Sequence, residues 1–480
     1  MYLYELSAIL IYFTLLLFIG ISSYKKHLSA SDFIIGSRSM NYYLTALSAH
    51  ASDMSSWLFM GYPAAILIGG VFKAWAAIGL IIFMLLNWIL VAPKIRIATE
   101  QYNSLTFSSF FESRLADTSG LIRIFTAIMS LVFYTIYLSA GLVGLGLLIE
   151  TLFNLDYQIG IVLGTLIVVP YVFMGGYTTL AWIDLFQGIF LMCVIIIVPL
   201  YILPKIGGWD HMMEVIKEKN LTTSLIPNFS SKTITIAVLE ILGWGLGYFG
   251  QPHIVTKFMG IRHVHEMGKS RNIGMTWMII SLGAATLVGL VGIAFFQSPL
   301  ADPEQVFIQM VQQTFHPFFI GLILCAVLTA TINAMSSQVL VVSSSLTEDF
   351  YKRIFRKTAS QKELLITSRL GVIIVTLVAF SIAYGNITSI YSLVLYAWSG
   401  LGAAFGPLLL LSLYTKSINK FGAWSGILLG GCISSIWPYC NEIWKTDIPA
   451  IVPAFFISLF SIILVSHLFA NKQSQLHAGN

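Results

Sequence analysis

Apolar side chains run through this chain in long unbroken stretches, and polar ones are confined to short segments between them. Each stretch is about 20 residues long, enough at 1.5 Å per residue to cross a hydrocarbon layer of roughly 30 Å. The pattern predicts helices near 6–24, 41–69, 74–93, 122–150, 156–175, 181–204, 233–252, 272–296, 316–346, 365–385, 389–415, 421–440 and 450–470, thirteen in all. An all-α integral membrane protein follows, because backbone in lipid must satisfy its hydrogen bonds within each segment.

Composition agrees with the pattern. Of 480 residues, 57% are hydrophobic and 10% charged, where a soluble domain carries roughly a quarter charged residues. No linker, low-complexity tract or soluble output module is expected, so residues 1–480 read as one membrane domain. The segment at about 205–232 carries both signs of charge and reads as a solvated surface hairpin. The four cysteines, Cys193, Cys325, Cys432 and Cys440, fall inside apolar runs with neither metal-ligand spacing nor clustering, and read as small packing residues.

Charge orients the chain. No basic residue precedes the first run, whereas Lys25 and Lys26 follow it at once, so it reads as a retained span with its N-terminus outside. Thirteen spans then place Lys73, Lys205, Lys217, Lys219, Lys232 and Lys445 outside. The other 20 of the 26 basic residues fall on the cytoplasmic side, among them Lys257, Arg262, Lys269, Arg271, Lys357 and Lys472. This is the bias of cytoplasmic loops facing anionic headgroups, and the C-terminus is expected inside. The net charge of +5 calls for no nucleic-acid partner.

Two spans are irregular and lie five helices apart. The second carries Ala46-Leu47-Ser48-Ala49-His50-Ala51-Ser52-Asp53-Met54-Ser55-Ser56-Trp57, small and polar at mid-membrane. The seventh carries Gly243-Trp244-Gly245-Leu246-Gly247-Tyr248-Phe249-Gly250-Gln251-Pro252, rich in poor helix formers. Unwound backbone at membrane depth is tolerated where it lines a protein-enclosed cavity. Interrupted helices at matching positions in two halves point to a transporter built from inverted repeats, here spans 2–6 (41–204) and 7–11 (233–415). The segments 6–24, 421–440 and 450–470 would be peripheral. Taken singly, such glycines also serve close helix packing.

Three acids lie in the spans. Asp53 either attracts a cation or caps the second half of its own broken helix; the two are compatible. Asp184 opens the sixth span, as a cap or as a cation station at the exit. Glu240, one turn before Trp244, is either structural or a proton carrier. The ninth span offers Thr329-Ala330-Thr331-Ile332-Asn333-Ala334-Met335-Ser336-Ser337-Gln338, oxygen donors at helical spacing that suit a hard cation or bond neighbouring helices. No nucleophile–base constellation, phosphate-cradling loop or histidine–cysteine metal spacing appears, which excludes the common hydrolase and redox classes. His263 and His265 read as solvated loop residues.

Several stretches resemble the sodium/solute symporter family. They are Gly36-Ser37-Arg38-Ser39, Thr45 to Ala49 leading into Ala51-Ser52-Asp53-Met54-Ser55, Gly175-Gly176 with Trp182-Ile183-Asp184 and Gln187, and Gly243 to His253. Thr347-Glu348-Asp349-Phe350-Tyr351-Lys352, Ala359 to Leu364 and Tyr396-Ala397-Trp398-Ser399-Gly400 complete the set. The match runs in order from about residue 8 to 470 and is nearest to the branch that carries proline with sodium. It implies the LeuT-type fold of two inverted five-helix repeats in a bacterial-type plasma membrane, and import of proline or a similar small amino acid coupled to Na+. By position it implies sodium ligation by the carbonyls of Ala51, Met54 and Ala330, support from Asp53 and Ser55, and inward release assisted by Asp184. Tyr137, Trp244, Tyr248 and Pro252 would line the substrate cavity, with Trp57 and Ser55 close by.

The chain departs from that family at specific places. Asn333 and Ala334 stand where two hydroxyls ligate sodium; an amide oxygen can ligate, a methyl cannot. Ser336 and Ser337, one turn on, resemble the additional sodium site of some members. His50 stands for glycine, Glu240 for a small residue, Lys73 for an acid and Ser56 for glycine. The departures leave H+ open as the coupling ion, or another solute on the same fold. A sensor or channel-like protein on this scaffold is the remaining alternative.

Overall fold

A computed structural model describes residues 2–23, 35–174, 177–356, 358–385 and 388–470. Lys25, Lys26, Gly175, Gly176, Lys357 and Lys472 lie outside the described residues. Among those described, the structure is all helix apart from one isolated parallel bridge, Met40 to Ile261.

The chain opens on α1 (Tyr2–Ser23). The expected second span is divided into α2 (Tyr42–Ala51) and α3 (Tyr62–Gly69), with a π-helical turn Trp57–Gly61 leading into α3. A tight turn follows, where Gly70 takes φ +68° and leaves no room for a Cβ against the Thr222 backbone. Helix α4 (Trp75–Leu86) continues through a second π turn, Asn87–Val91, into α5 (Ala92–Gln101); α6 (Phe107–Arg114) is short. Then come α7 (Leu121–Phe153), α8 (Tyr157–Met174), α9 (Tyr177–Ile202) and α10 (Gly208–Glu218). The expected seventh span divides into α11 (Ser231–Gly245), a 3-10 stretch Leu246–Gly250, and α12 (Pro252–Met259). The rest is α13 (Met267–Phe295), α14 (Val306–Thr314), α15 (Pro317–Ser344), α16 (Gln361–Tyr384), α17 (Ile390–Tyr414), α18 (Lys420–Trp444) and α19 (Ile451–Leu468).

Polar residues at the span ends start the helices. Asn41, Ser230, Ser389 and Asn419 each accept a backbone N–H from the first turn of the helix that follows. Each expected segment is occupied by helix, and ten helices among the described residues are long and apolar enough to cross a membrane. Three of the ten, Leu121–Phe153, Pro317–Lys352 and Ile390–Tyr414, bury 83% of their most apolar stretch and form the centre of the bundle. Helices α1 and α19 present Leu3, Phe18, Phe460 and Leu468 outward, as lipid-facing helices do. Cys193 and Cys432 are exposed on this periphery, so of the four free cysteines Cys325 is the fully buried one.

The segment 205–232 is not a simple hairpin. It contains α10, which buries Met212 and Ile216 and packs against α13, while Lys219 donates to the carbonyls of Ile293 and Phe296 at 2.7 Å. Its buried residues, Met212 and Ile216, stand four apart on one face of an otherwise charged helix, a helical period that is passed over when the stretch is read by its charge alone.

Candidate functional site

Both predicted helix breaks are present, and they face each other. In the first, the chain leaves helical hydrogen bonding between Ala51 and Ser56. The N–H groups of Asp53 and Met54 turn back to the His50 carbonyl, and among the described residues no non-helical backbone bond ends on the carbonyl of Ala51 or Met54. Those two carbonyls are therefore free to turn to a ligand. The second half of the span is capped by Ser55, whose hydroxyl accepts from Trp57 N–H at 3.3 Å. Asp53, read from the sequence as a cation attractor or a cap, accepts the Tyr248 hydroxyl on Oδ2 at 2.6 Å. Side-chain bonds tie the second break to its surroundings. Trp398 Nε1 donates to the Trp244 carbonyl at 2.7 Å, Asn87 Nδ2 to the Tyr248 carbonyl at 3.1 Å, and Gln251 Nε2 to the Trp398 carbonyl at 3.1 Å. Asn87 sits on a π turn, a distortion that often marks functional positions. Gly247 lies flat against the Trp398 indole, where any Cβ would collide.

Between the breaks is a cavity of about 20 Å³, lined by Asp53, Met54, Trp57, Leu80, Tyr137, Trp244, Tyr248, Val394 and Trp398. It has room for one water-sized group. Six of the expected site residues, Asp53, Met54, Trp57, Tyr137, Trp244 and Tyr248, thus line one cavity. Ser55 lies beside it as the cap. Pro252 is placed elsewhere, lining a separate cavity of about 30 Å³ with Thr126, Ser130, Thr256, Leu340 and Ser344. The start of α12 is held by Tyr134, whose hydroxyl accepts His253 N–H at 3.1 Å and bonds His253 Nδ1 at 3.0 Å.

An aromatic lid closes one side of the central cavity. The Trp57 and Trp244 rings lie 4.8 Å apart, and Trp244 Nε1 donates to the Tyr391 hydroxyl at 2.9 Å. Beyond the lid is a vestibule of about 700 Å³ with Lys73, Glu240, Asn441 and Asp447 in its walls. Lys73 and Glu240 form an ion pair at 2.5 Å. Two departures from the family thus account for each other, and Glu240 has a cationic partner rather than a neutral one.

Glu304, in the turn before α14, carries the lid from below. Its carboxylate accepts the N–H groups of Ile390 and Tyr391, both at 2.9 Å, and so caps α17. Burial pushes this carboxyl up to about 7, against the lowering effect of the two amides. A raised folded pKa stabilises most below the ordinary value of 4.5 and loses that contribution as pH rises through about 7. Thermal midpoints in detergent should therefore fall across this window, and Glu304→Gln should flatten the slope. Parallel profiles for the two proteins would remove Glu304 from the account.

The expected cation residues on α15 are all buried: Ala330, Asn333, Ser336 and Ser337, with Ala334 beside them. Helix α15 packs against α2. Ala330 lies within unbroken helix, so its carbonyl would offer a ligand only its second lone pair. The Ser336 hydroxyl donates to the Ile332 carbonyl at 2.7 Å, while Ser337 Oγ and Asn333 Nδ2 are buried without a hydrogen-bond partner among the described residues. Asp184 is not a cap. It lies in the second turn of α9, fully buried, where its Oδ2 accepts the Ser48 hydroxyl and Lys257 Nζ, the latter at 3.3 Å. Lys257 itself, expected in a cytoplasmic loop, is 2% exposed within α12. His50 is wedged away from the cavity, its Nε2 accepting from Trp88 Nε1 at 3.2 Å, with Trp277 on its other side.

The comparisons fit this geometry. Residues 33–430 match the model of the Sodium:solute symporter family. The chain is 41% identical to the "High-affinity proline transporter PutP" of Bacillus subtilis over 458 residues, covering 94% of this chain and 96% of that protein. It is 38% identical to a "Sodium/proline symporter" of Staphylococcus aureus over 475 residues, 96% of this chain and 92% of that one. Its fold is shared with a solved Na+-coupled sialic acid symporter in a substrate-bound outward-open state, at a TM-score of 0.80 with 18% identity, over 97% and 98% of the two chains. MhsT, solved with L-phenylalanine, matches at a TM-score of 0.57 with 14% identity, over 88% and 97%. This all-helical, multi-pass membrane protein of LeuT-type fold belongs to the sodium:solute symporter family.

Proposed function

We propose that this chain imports proline, or a closely similar small amino acid, together with Na+. The observation that carries the reading is the central cavity at the meeting point of the two unwound segments, walled by Asp53, Tyr137, Trp57, Trp244 and Tyr248. Aromatic walls suit the ring of a small amphipathic solute, and unwound backbone offers polar groups to its charged ends. The names of the relatives support the choice of solute. The free carbonyls of Ala51 and Met54, with oxygens from α15, are the proposed sodium ligands, and Asp53 supplies the negative charge nearby. Ser55 supports them as the helix cap, and Pro252 belongs to the path leading away from the cavity. Segments 41–204 and 233–415 are proposed as inverted repeats, which the equivalent positions of the two breaks support.

The proposed orientation places the N-terminus outside, the vestibule outward and the C-terminus in the cytoplasm of a bacterial cell. With Lys257 withdrawn from the loops, the bias of basic residues becomes 19 inside against 6 outside, which supports the same orientation. One observation favours a second reading. Ala334 brings a methyl where a hydroxyl ligand belongs, so H+ is the alternative coupling ion. Radiolabelled proline uptake into proteoliposomes, under separate sodium and proton gradients, decides between them. A sodium gradient alone is expected to drive uptake. Uptake driven only by the proton gradient would replace the ion, and uptake driven by neither would end the symport reading.

A further inference from the structure

One fully buried ion pair stands outside the central cavity and has no part in the proposed function above. Asp184 on α9 and Lys257 on α12 are 0% and 2% exposed, and they face each other at 3.3 Å. The Ser48 hydroxyl holds the same carboxylate oxygen. Among the described residues Asp184 Oδ1 has no hydrogen-bond partner, and Asn333 presents its amide to that carboxylate without completing a bond. Ser337, one turn along α15 from Asn333, is buried with its hydroxyl unpaired. Around Asp184 thus stand the Ser48 hydroxyl, the Asn333 amide and one ammonium.

A buried carboxylate without a counter-charge is strongly unfavourable. Here the counter-charge is tethered, held by a four-carbon stem to the helix that begins just after the unwound Leu246–Gln251 stretch. A tethered group competes with free ions at an effective concentration in the millimolar range or above. Two cations on one carboxylate repel each other most where the surroundings are dry. While the Lys257 ammonium is in place, a sodium ion cannot also settle on Asp184.

We propose that Lys257 is a specificity-determining residue of transport: its ammonium is a resident counter-cation at Asp184 and limits the protein to one bound sodium ion. The inference rests on the sodium reading above. It also gives the neighbouring oxygens of Ser48 and Asn333 a ligating role only when the ammonium is absent.

Equilibrium binding of radioactive sodium to the purified full-length protein, with the Hill coefficient of sodium-dependent proline binding, tests it. Wild type and Lys257→Arg should each bind one sodium with a Hill coefficient near one. Lys257→Met should bind two with a coefficient approaching two, and Lys257→Met/Asp184→Asn should return to one. The double variant buries no unpaired charge and reports on folding; Lys257→Gln supplies a second neutral side chain that keeps hydrogen bonding. Neutral variants that still bind one sodium, or a wild type that already binds two, would overturn the assignment and leave sodium coupling intact. A wild type that binds none would overturn sodium coupling, and this assignment with it.

Discussion

Replacing Asp53 with asparagine or Tyr248 with phenylalanine should each lower proline uptake about tenfold to a hundredfold, and the double variant should be no worse than the poorer single one. The Tyr248 hydroxyl donates to Asp53 at 2.6 Å, and this bond directly links side chains of the two unwound segments. Hydrogen bonds to a charged group contribute about 1.5–3 kcal/mol, and 1.4 kcal/mol is a factor of ten. Either single change removes or weakens this buried bond. In Tyr248→Phe the carboxylate loses its donor, and in Asp53→Asn the phenol keeps a weaker acceptor and the cavity loses its charge. If the pair acts as one unit, the second change removes nothing the first has left. Initial uptake rates of the four proteins in proteoliposomes give the coupling. Multiplicative losses would mean that the two residues act separately, and that the bond between the breaks is incidental.

Much of this arrangement is legible in the sequence, and the reasons for the remainder are physical. Helices α7, α15 and α17 are predominantly apolar over lengths sufficient to cross a bilayer, so their existence follows from composition alone. The two breaks are equally readable, because Ser52-Asp53 and the Gly243–Gly250 glycines violate the rule that governs everything around them. Partnerships are another matter. Tyr248 is 195 residues from Asp53 and Glu240 is 167 from Lys73, and no local spacing links either pair. Lys73 and Glu240 each read as an oddity against the family, and only the fold makes them complementary. Lys257 was hidden by its neighbours: Gly260 and Arg262 make a convincing loop, and the short helix α12 just before it is too brief for its period to show which face turns inward. The exchange of roles between Asp53 and Ser55 is of the same kind. Both residue types cap helices, and the choice depends on where the chain turns, to within two residues.

Trp244→Ala is expected to weaken proline binding by about thirtyfold to a hundredfold and, separately, to open the central cavity to the outside. Trp244 is the one residue that lines both the central cavity and the vestibule. Its ring packs on Trp57 at 4.8 Å, its N–H holds the Tyr391 hydroxyl, and its carbonyl is held by Trp398. Buried tryptophans at binding surfaces commonly contribute 2 kcal/mol or more, which sets the lower bound on lost affinity. Truncation keeps the carbonyl and its bond to Trp398, so the unwound segment retains its support while the lid loses its centre. Access can be read without substrate. With Cys193, Cys325, Cys432 and Cys440 replaced, a single Met54→Cys places a thiol in the cavity wall. A membrane-impermeant thiol reagent added outside should label it about tenfold faster when Trp244→Ala is present. Trp244→Phe keeps a ring on Trp57 but loses the bond to Tyr391, and should fall between the two. Equal labelling of Met54→Cys with and without the tryptophan would show that the barrier lies elsewhere, and that Trp244 acts on the solute alone.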